Sequence, residues 1–190
     1  MNNKIEKSLY YPPGGILLWI IIFLEFFTFG AALIAMVFYS KDEPEVFHNS
    51  KLLLNTSFGA INTFFLLTSG FFMATSVEKF KENNISKTTF FLKLTMVFGV
   101  FFLILKSIEY YFKLEAGLTI GYNTFFSFYW MLTLFHVIHV LVGLVILIVN
   151  YIGLKKNSTN NLEDFEASAA FWHMCDLIWL LLFPIIYLLF

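Results

Sequence analysis

The sequence predicts an all-α integral membrane protein, a bundle of five transmembrane helices. Hydrophobic residues make up 59% of the 190 residues and charged residues only 13%, whereas soluble domains carry about 25% charged residues. Aromatic residues reach 21% and prolines number only 4, a composition that favours long apolar helices over turn-rich β structure. The net charge is −1 and the chain has no arginine, which excludes nucleic acid as a partner because too few cations are available for phosphates.

Five apolar segments reach the roughly 20 residues that a helix needs to span a bilayer. They cover residues 14–39, 52–77, 89–112, 124–151 and 167–190. The first segment is kept as a spanning helix because it is longer than the about 7–15 apolar residues of a cleaved signal. The other four follow short polar connections rich in turn formers, so we expect antiparallel neighbours in a single transmembrane domain, residues 1–190.

Lysines are unevenly divided between the two sides of this bundle. The richer set, near the N-terminus and in the second and fourth connections, is Lys4, Lys7, Lys79, Lys81, Lys87, Lys155 and Lys156, and the poorer set is Lys41, Lys51 and Lys113. Because positively charged loops stay in the cytoplasm, the N-terminus is predicted to be cytoplasmic and the C-terminus outside. Lys93 lies one turn into the third segment, from which its side chain can snorkel to the interface.

Ionisable side chains inside the predicted spans share one level of the membrane. At 1.5 Å per residue, Glu25, His139 and Asp176 all fall roughly 14–16 Å from the inner boundary. His136 lies about one turn further out on the helical face of His139, and His173 about one turn further in than Asp176. The sequence therefore predicts a ladder of imidazole and carboxylate groups on the fourth and fifth helices, placed against Glu25.

Three interpretations of this polar layer remain open. Polar side chains in membrane bundles often form interhelical hydrogen bonds that serve packing alone. Buried ionisable groups also mark proton or lipid-headgroup sites. Histidines three residues apart, with carboxylates on other helices, are compatible with a metal or haem site, although no helix carries the Glu-x-x-His pair of familiar bundle metal centres.

A second group of charges lies near the outer end of the third segment. Lys106, Glu109 and Lys113 fall on one helical face, so that Glu109 can pair with either lysine. A neutralised pair is one way in which a helix tolerates charge near the interface. The alternative is a docking contact for a partner subunit.

Two sequence motifs carry a resemblance to a known family. The C-terminal stretch FWHMCDLIWLLLFPIIYLL is similar to the closing signature of subunit III of the haem-copper oxidases. Its matching positions are Trp172, His173, Asp176, Trp179, Phe183 and Pro184. The fourth helix is similar to the family's Thr-Gly-x-His-x-x-His-Val-x-x-Gly pattern, matched by Thr133, His136, His139, Val140 and Gly143.

Weaker matches extend the resemblance over nearly the whole chain. Asn55 stands in the family's Leu-Asn-Thr sequence, Glu109-Tyr110 matches its Glu-Tyr pair, and Glu25 matches its intramembrane glutamate. Five helices stand where the oxidase subunit has seven, Leu134 replaces a usual glycine, and Lys106 replaces a common glutamine. These departures make the chain look more like the accessory subunit associated with nitric oxide reductase.

The resemblance implies a non-catalytic subunit of the bacterial inner membrane that holds no haem, copper or other cofactor. Its expected partners are the catalytic subunit of a haem-copper oxidase or nitric oxide reductase, and membrane lipids. The expected role is support of assembly, of the proton-uptake side, to which Glu25 is assigned, and of lipid organisation. Two alternatives are an independent proton-conducting or transport protein that uses Glu25, His139 and Asp176 as a relay, and a haem- or metal-binding membrane enzyme.

Overall fold

The computed structural model describes residues 15–155 and 161–190. These residues form six helices: α1 (Gly15–Asp42), α2 (Pro44–Leu52), α3 (Thr56–Lys81), α4 (Ile85–Glu115), α5 (Thr124–Lys155) and α6 (Leu162–Tyr187). In this part of the chain five of them, all except α2, are long and apolar enough to cross a membrane. The predicted fold class, an all-α bundle with five transmembrane helices, is confirmed.

The helix ends differ from those predicted by hydropathy. The spanning helices α3, α4 and α5 continue into the polar connections, and only residues 82–84 separate α3 from α4. The first connection was expected to be a loop, yet most of it forms α2, which has Pro44 at the start, where a missing N–H is tolerated. The last helix ends at Tyr187 rather than at Phe190. The predicted start at residue 14 and the lysines at 4, 7 and 156 lie outside the described residues.

Helix α6 has a central place in the bundle. It packs against α1, α3 and α5, while α3 and α4 pack against each other along their lengths. We call the N-side the end of the bundle where α1 begins and α3 turns into α4. The C-side is the opposite end, with α2, the α4–α5 connection and the end of α6. Large apolar side chains remain exposed along the spanning helices, as expected of a multi-pass membrane protein whose surface faces lipid.

Asparagine side chains begin three of the spanning helices. In each case the side-chain oxygen accepts a hydrogen bond from a backbone N–H two or three residues later, at 3.0, 3.1 and 2.9 Å. The three residues are Asn55, Asn84 and Asn123. Asn123 also donates from Nδ2 to Ser50 Oγ at 2.7 Å, which attaches α2 to the start of α5. Such caps satisfy N–H groups that a helix leaves unpaired and stabilise it by about 1 kcal/mol each.

The indole of Trp172 joins four helices in the N-side half of the bundle. Its Nε1 donates to Ser69 Oγ at 3.1 Å, and that hydroxyl donates to the Thr95 carbonyl at 2.8 Å. Gly99 on α4 and Gly143 on α5 face the ring so closely that an added Cβ would lie 2.8 and 2.9 Å from its nearest atoms. The two glycines therefore make room for the Trp172 ring between their helices.

We predict that Gly143→Ala destabilises the chain by about 1–3 kcal/mol, because the new methyl group overpacks the site of the Trp172 ring. The matched control is Gly30→Ala on α1, where an added Cβ meets nothing within 4 Å. Alanine favours a helix over glycine, so the control should be neutral or slightly stabilising. Denaturant unfolding in one detergent measures both, and equal midpoints for the two variants would contradict the packing account.

Candidate functional site

Glu25 and His139 lie next to each other in the interior of the membrane span, where α1 meets α5. His139 Nε2 lies 3.2 Å from Glu25 Oε2, and the two side chains are 13% and 16% exposed. His139 Nδ1 lies 2.8 Å from the Phe135 carbonyl, so Nδ1 carries a hydrogen and donates it there. Nε2 then faces Glu25. Glu25 Oε2 makes no hydrogen bond of regular geometry among the described residues, so the two side chains are close without a formed hydrogen bond between them.

His173 and Asp176 form a second pair, on the face of α6 that packs against α3. His173 Nδ1 lies 3.4 Å from Asp176 Oδ2, with the histidine side chain 39% exposed and the aspartate 7%. Gly70 of α3 lies against the same carboxylate oxygen. Both residues line a groove between α3 and α6 of about 430 Å³. Among the described residues Asp176 Oδ1 has no hydrogen-bond partner.

His136 stands apart from both pairs, inside the aromatic core. Its ring stacks on Trp179 with centroids 5.4 Å apart and meets the edge of Phe102 at 5.7 Å. The side chain is fully buried, and neither ring nitrogen has a hydrogen-bond partner among the described residues.

The predicted single ladder is thus replaced by two separate pairs and one isolated imidazole. Within residues 15–155 and 161–190, no ion pair or hydrogen bond links the Glu25–His139 pair to the His173–Asp176 pair. The reason is geometric, because one pair lies between α1 and α5 while the other faces α3. The same described residues include no group of three or more His, Cys, Asp or Glu side chains placed to hold a metal ion.

A fully buried ion pair lies in the C-side half of the bundle. Lys106 Nζ is 3.0 Å from Glu109 Oε2, and the side chains are 1% and 2% exposed. Lys106 also donates to the hydroxyls of Tyr187 at 2.8 Å and Tyr129 at 3.4 Å. Both hydroxyls donate in turn to Glu109 Oε1, at 2.7 and 2.9 Å. We call these four residues the lysine network; it joins α4, α5 and α6.

Aromatic rings surround the ammonium group of Lys106. Its Nζ lies 5.0–5.4 Å from the ring centres of Tyr110, Tyr129, Trp179 and Tyr187, within the range of cation–π attraction. The charge is therefore compensated on several sides by a carboxylate, hydroxyls and ring faces.

The third member of the predicted outer cluster, Lys113, donates its ammonium to the backbone carbonyl of Leu53, at the end of α2. It is 7% exposed, so all three charges of the cluster point inward. The structure therefore favours internal pairing over a docking contact for them. Tyr129 and Tyr187 were not predicted as members of this network from the sequence. The available signal was that two helices, α5 at its start and α6 at its end, bring a tyrosine to the C-side, where Lys106 and Glu109 also lie.

The remaining motif residues have packing or capping positions. Asn55 caps α3, and Gly143 accommodates Trp172, as described above. Trp179 Nε1 donates to Thr63 Oγ1 at 2.9 Å, which ties α6 to α3. Tyr110 lies against Trp130 with centroids 4.8 Å apart. Pro184 lies inside the final turns of α6.

We predict that Lys106→Met destabilises the chain by about 3–5 kcal/mol, because it leaves the Glu109 carboxylate buried without its cation. Lys79→Met, which removes the N-side pair with Glu82 at 3.0 Å, is the control and should leave stability nearly unchanged. Denaturant unfolding in detergent measures both. Equal midpoints for the two variants would contradict this prediction.

The double variant Lys106→Met with Glu109→Leu separates charge compensation from packing. With neither charge left in the interior, much of the lost stability should return. A double variant less stable than the Lys106→Met single variant would mean that the network acts through its shape alone.

Comparison with known proteins places the chain in a family. The family model of cytochrome c oxidase subunit III matches residues 13–189. Cytochrome c oxidase subunit 3 of Drosophila melanogaster is 40% identical over 129 residues, which cover 67% of this chain and 48% of the relative. The subunit 3 of Spodoptera frugiperda is 36% identical over 129 residues, 67% of this chain and 86% of the relative.

The subunit 3 of Pelomedusa subrufa is 37% identical over 129 residues, again 67% of this chain and 48% of the relative. The chain thus spans about half the length of the Drosophila and Pelomedusa relatives that it matches. The family model nevertheless covers nearly all of the chain, including the motifs of α5 and α6. The protein belongs to the cytochrome c oxidase subunit III family.

Proposed function

We propose that the chain is a non-catalytic subunit of a haem-copper respiratory complex and packs in the membrane against the catalytic subunit. The observation that carries the proposal is the match of the subunit III family model to residues 13–189. The structure supports a packing role, because the motif residues of α6 mostly contact other helices of the same chain. The exposed apolar side chains along the spanning helices provide a surface for a larger membrane partner as well as for lipid.

The catalytic partner is a haem-copper oxidase or a nitric oxide reductase. The relatives described above are named for cytochrome c oxidase, whereas Lys106 in place of a glutamine favours the reductase-associated accessory subunit. Since Lys106 is the centre of a buried network, this departure from the oxidase pattern affects the core of the chain.

The chain is proposed to lie in a bacterial inner membrane with its N-side in the cytoplasm. Among the described residues, Lys79, Lys81, Lys87 and Lys155 lie at the N-side, and Lys41, Lys51 and Lys113 at the C-side. Lys113 is buried against Leu53, which leaves the exposed positive charge still more concentrated on the N-side. That distribution supports the orientation.

Glu25 and His139 are the residues proposed to support the proton-uptake side of the complex. Their imidazole and carboxylate are 3.2 Å apart, and their partial exposure of 16% and 13% leaves them within reach of a partner at the α1–α5 joint. The His173–Asp176 pair, on the α3–α6 face, is assigned to interhelical packing in this account.

Co-purification tests the assignment directly. When the catalytic subunit of the haem-copper complex carries the affinity tag, this chain should be recovered with it in mild detergent. Glu25→Gln should also co-purify but should shorten the time over which the complex sustains turnover, because it removes the carboxylate that faces His139. Glu166→Gln, which removes an N-side pair with Lys81 at 2.7 Å, is the matched control and should sustain turnover normally.

Absence of the chain from the tagged complex would overturn the proposed function. Recovery of the Glu25→Gln chain with unchanged turnover would retain the subunit assignment and refute only the role given to Glu25.

A second candidate, independent proton conduction, is favoured by the same pair, since an imidazole and a carboxylate meet inside the membrane span. The purified chain in sealed vesicles would then conduct protons under a pH gradient, and Glu25→Gln would abolish the flux. We expect no flux above that of empty vesicles, because the described pairs are not connected to one another. A flux that Glu25→Gln removes would favour conduction.

A further inference from the structure

Two lysines that have no acidic partner among the described residues share a cavity at the N-side. Lys93 on α4 and Lys155 at the end of α5 line a space of about 370 Å³ together with polar Ser86, Thr89 and Tyr151. The Lys93 ammonium lies 5.3 Å from the ring centre of Tyr151. Both lysines are exposed, and among the described residues neither has a carboxylate within the 4.0 Å that defines an ion pair.

Two other lysines at the same end of the bundle are paired with carboxylates. Lys79 pairs with Glu82 at 3.0 Å and Lys81 with Glu166 at 2.7 Å. The cavity between α4 and α5 therefore holds positive charge that the described side chains leave uncompensated. An ammonium near a bilayer surface is attracted to anionic lipid headgroups by about 1 kcal/mol per lysine, that is, roughly fivefold in affinity.

Two apolar depressions follow this cavity along α4, each sharing one lining residue with the one before it, and together they are called the groove. Its first part is lined by Lys93 together with Met96, Val97, Val100 and Phe101. Its second part shares Phe101 and is lined further by Phe65, Phe98, Ile104, Leu105 and Ile108. From Lys93 to Ile108 the helix rises by about 22 Å at 1.5 Å per residue. That length exceeds one leaflet of a hydrocarbon core about 30 Å thick, so the groove can accommodate a whole acyl chain.

We propose that this cavity and groove form a binding site for an anionic phospholipid. Lys93 and Lys155 contact the phosphate, Ser86 and Tyr151 offer hydroxyl groups to the headgroup, and one acyl chain lies along α4. A free phosphate would use only the polar cavity, and the apolar lining next to Lys93 is what favours a lipid. The site lies between α4 and α5, away from the Glu25–His139 pair, and does not depend on the proposed function.

The test measures lipid binding to the full chain in phosphatidylcholine nanodiscs that contain a small fraction of spin-labelled phosphatidylglycerol. The double variant Lys93→Gln with Lys155→Gln should lower the preference for phosphatidylglycerol about thirtyfold, because it removes two lysine contacts that each contribute about fivefold. The matched control is Lys87→Gln, which removes an exposed α4 lysine that does not line the cavity. It should keep the preference of the native chain.

A second variant tests the groove with the charges intact. Val97→Trp places a large ring in the tail path and should weaken binding of the labelled lipid, while excess inorganic phosphate should not displace the lipid from the native chain. Val97 is 44% exposed, so the substitution points toward lipid and should leave folding intact; Val100→Trp is the substitute if it does not.

Three results would overturn the proposal. One is an unchanged preference for phosphatidylglycerol in the double lysine variant. The second is displacement of the lipid by inorganic phosphate, which would indicate a simple anion site. The third is that an acidic subunit covers both lysines when the complex is depleted of lipid, which would indicate that a protein occupies the cavity.

Discussion

The lysine network buries the Lys106 amine together with the Glu109 carboxyl in the interior of the bundle and gives both groups hydrogen-bond partners there. Lys106 is 1% exposed and Glu109 2%, and removing two charges from water costs several kcal/mol for each ion. The geometry offsets this cost only when the hydrogen bonds are complete, which here requires Tyr129 from α5 and Tyr187 from α6. The network therefore fixes how far these helices are shifted along each other, since a shift of one turn would leave a buried charge unpaired.

The N-side half is held by a different kind of contact. Trp172 fits against two glycines and donates to Ser69, so packing rather than charge sets the approach of α3, α4 and α5 to α6. Helix α1 contacts the bundle through α5, α6 and α2 and carries Glu25 to the α1–α5 joint. The pair proposed to support a partner thus lies at a peripheral helix, whereas the core polar contacts hold the bundle itself together.

Hydropathy and length were sufficient to predict five spanning helices, because a bilayer imposes one minimum length on every crossing. They did not predict α2, whose nine residues are too polar for a span, although Pro44 was a start signal. Spacing along each helix predicted that Glu25, His139 and Asp176 lie at one level of the membrane, but it did not predict which neighbouring helix each side chain faces. For this reason one ladder was expected, whereas the structure has two separate pairs. Tyr129 and Tyr187 were missed because tyrosines near helix ends ordinarily belong to the interfacial aromatic belt.

The most direct test of this account is the environment of Lys106 in a bilayer. Solid-state NMR of the chain with labelled lysine and glutamate side chains can detect magnetisation transfer between the Lys106 ammonium and a carboxylate. The Lys106 signal is identified because it is lost in the Lys106→Met variant. The account predicts a direct contact with Glu109, consistent with the 3.0 Å separation, and ammonium protons that exchange slowly with water. A Lys106 signal with no carboxylate contact and rapid exchange would contradict it.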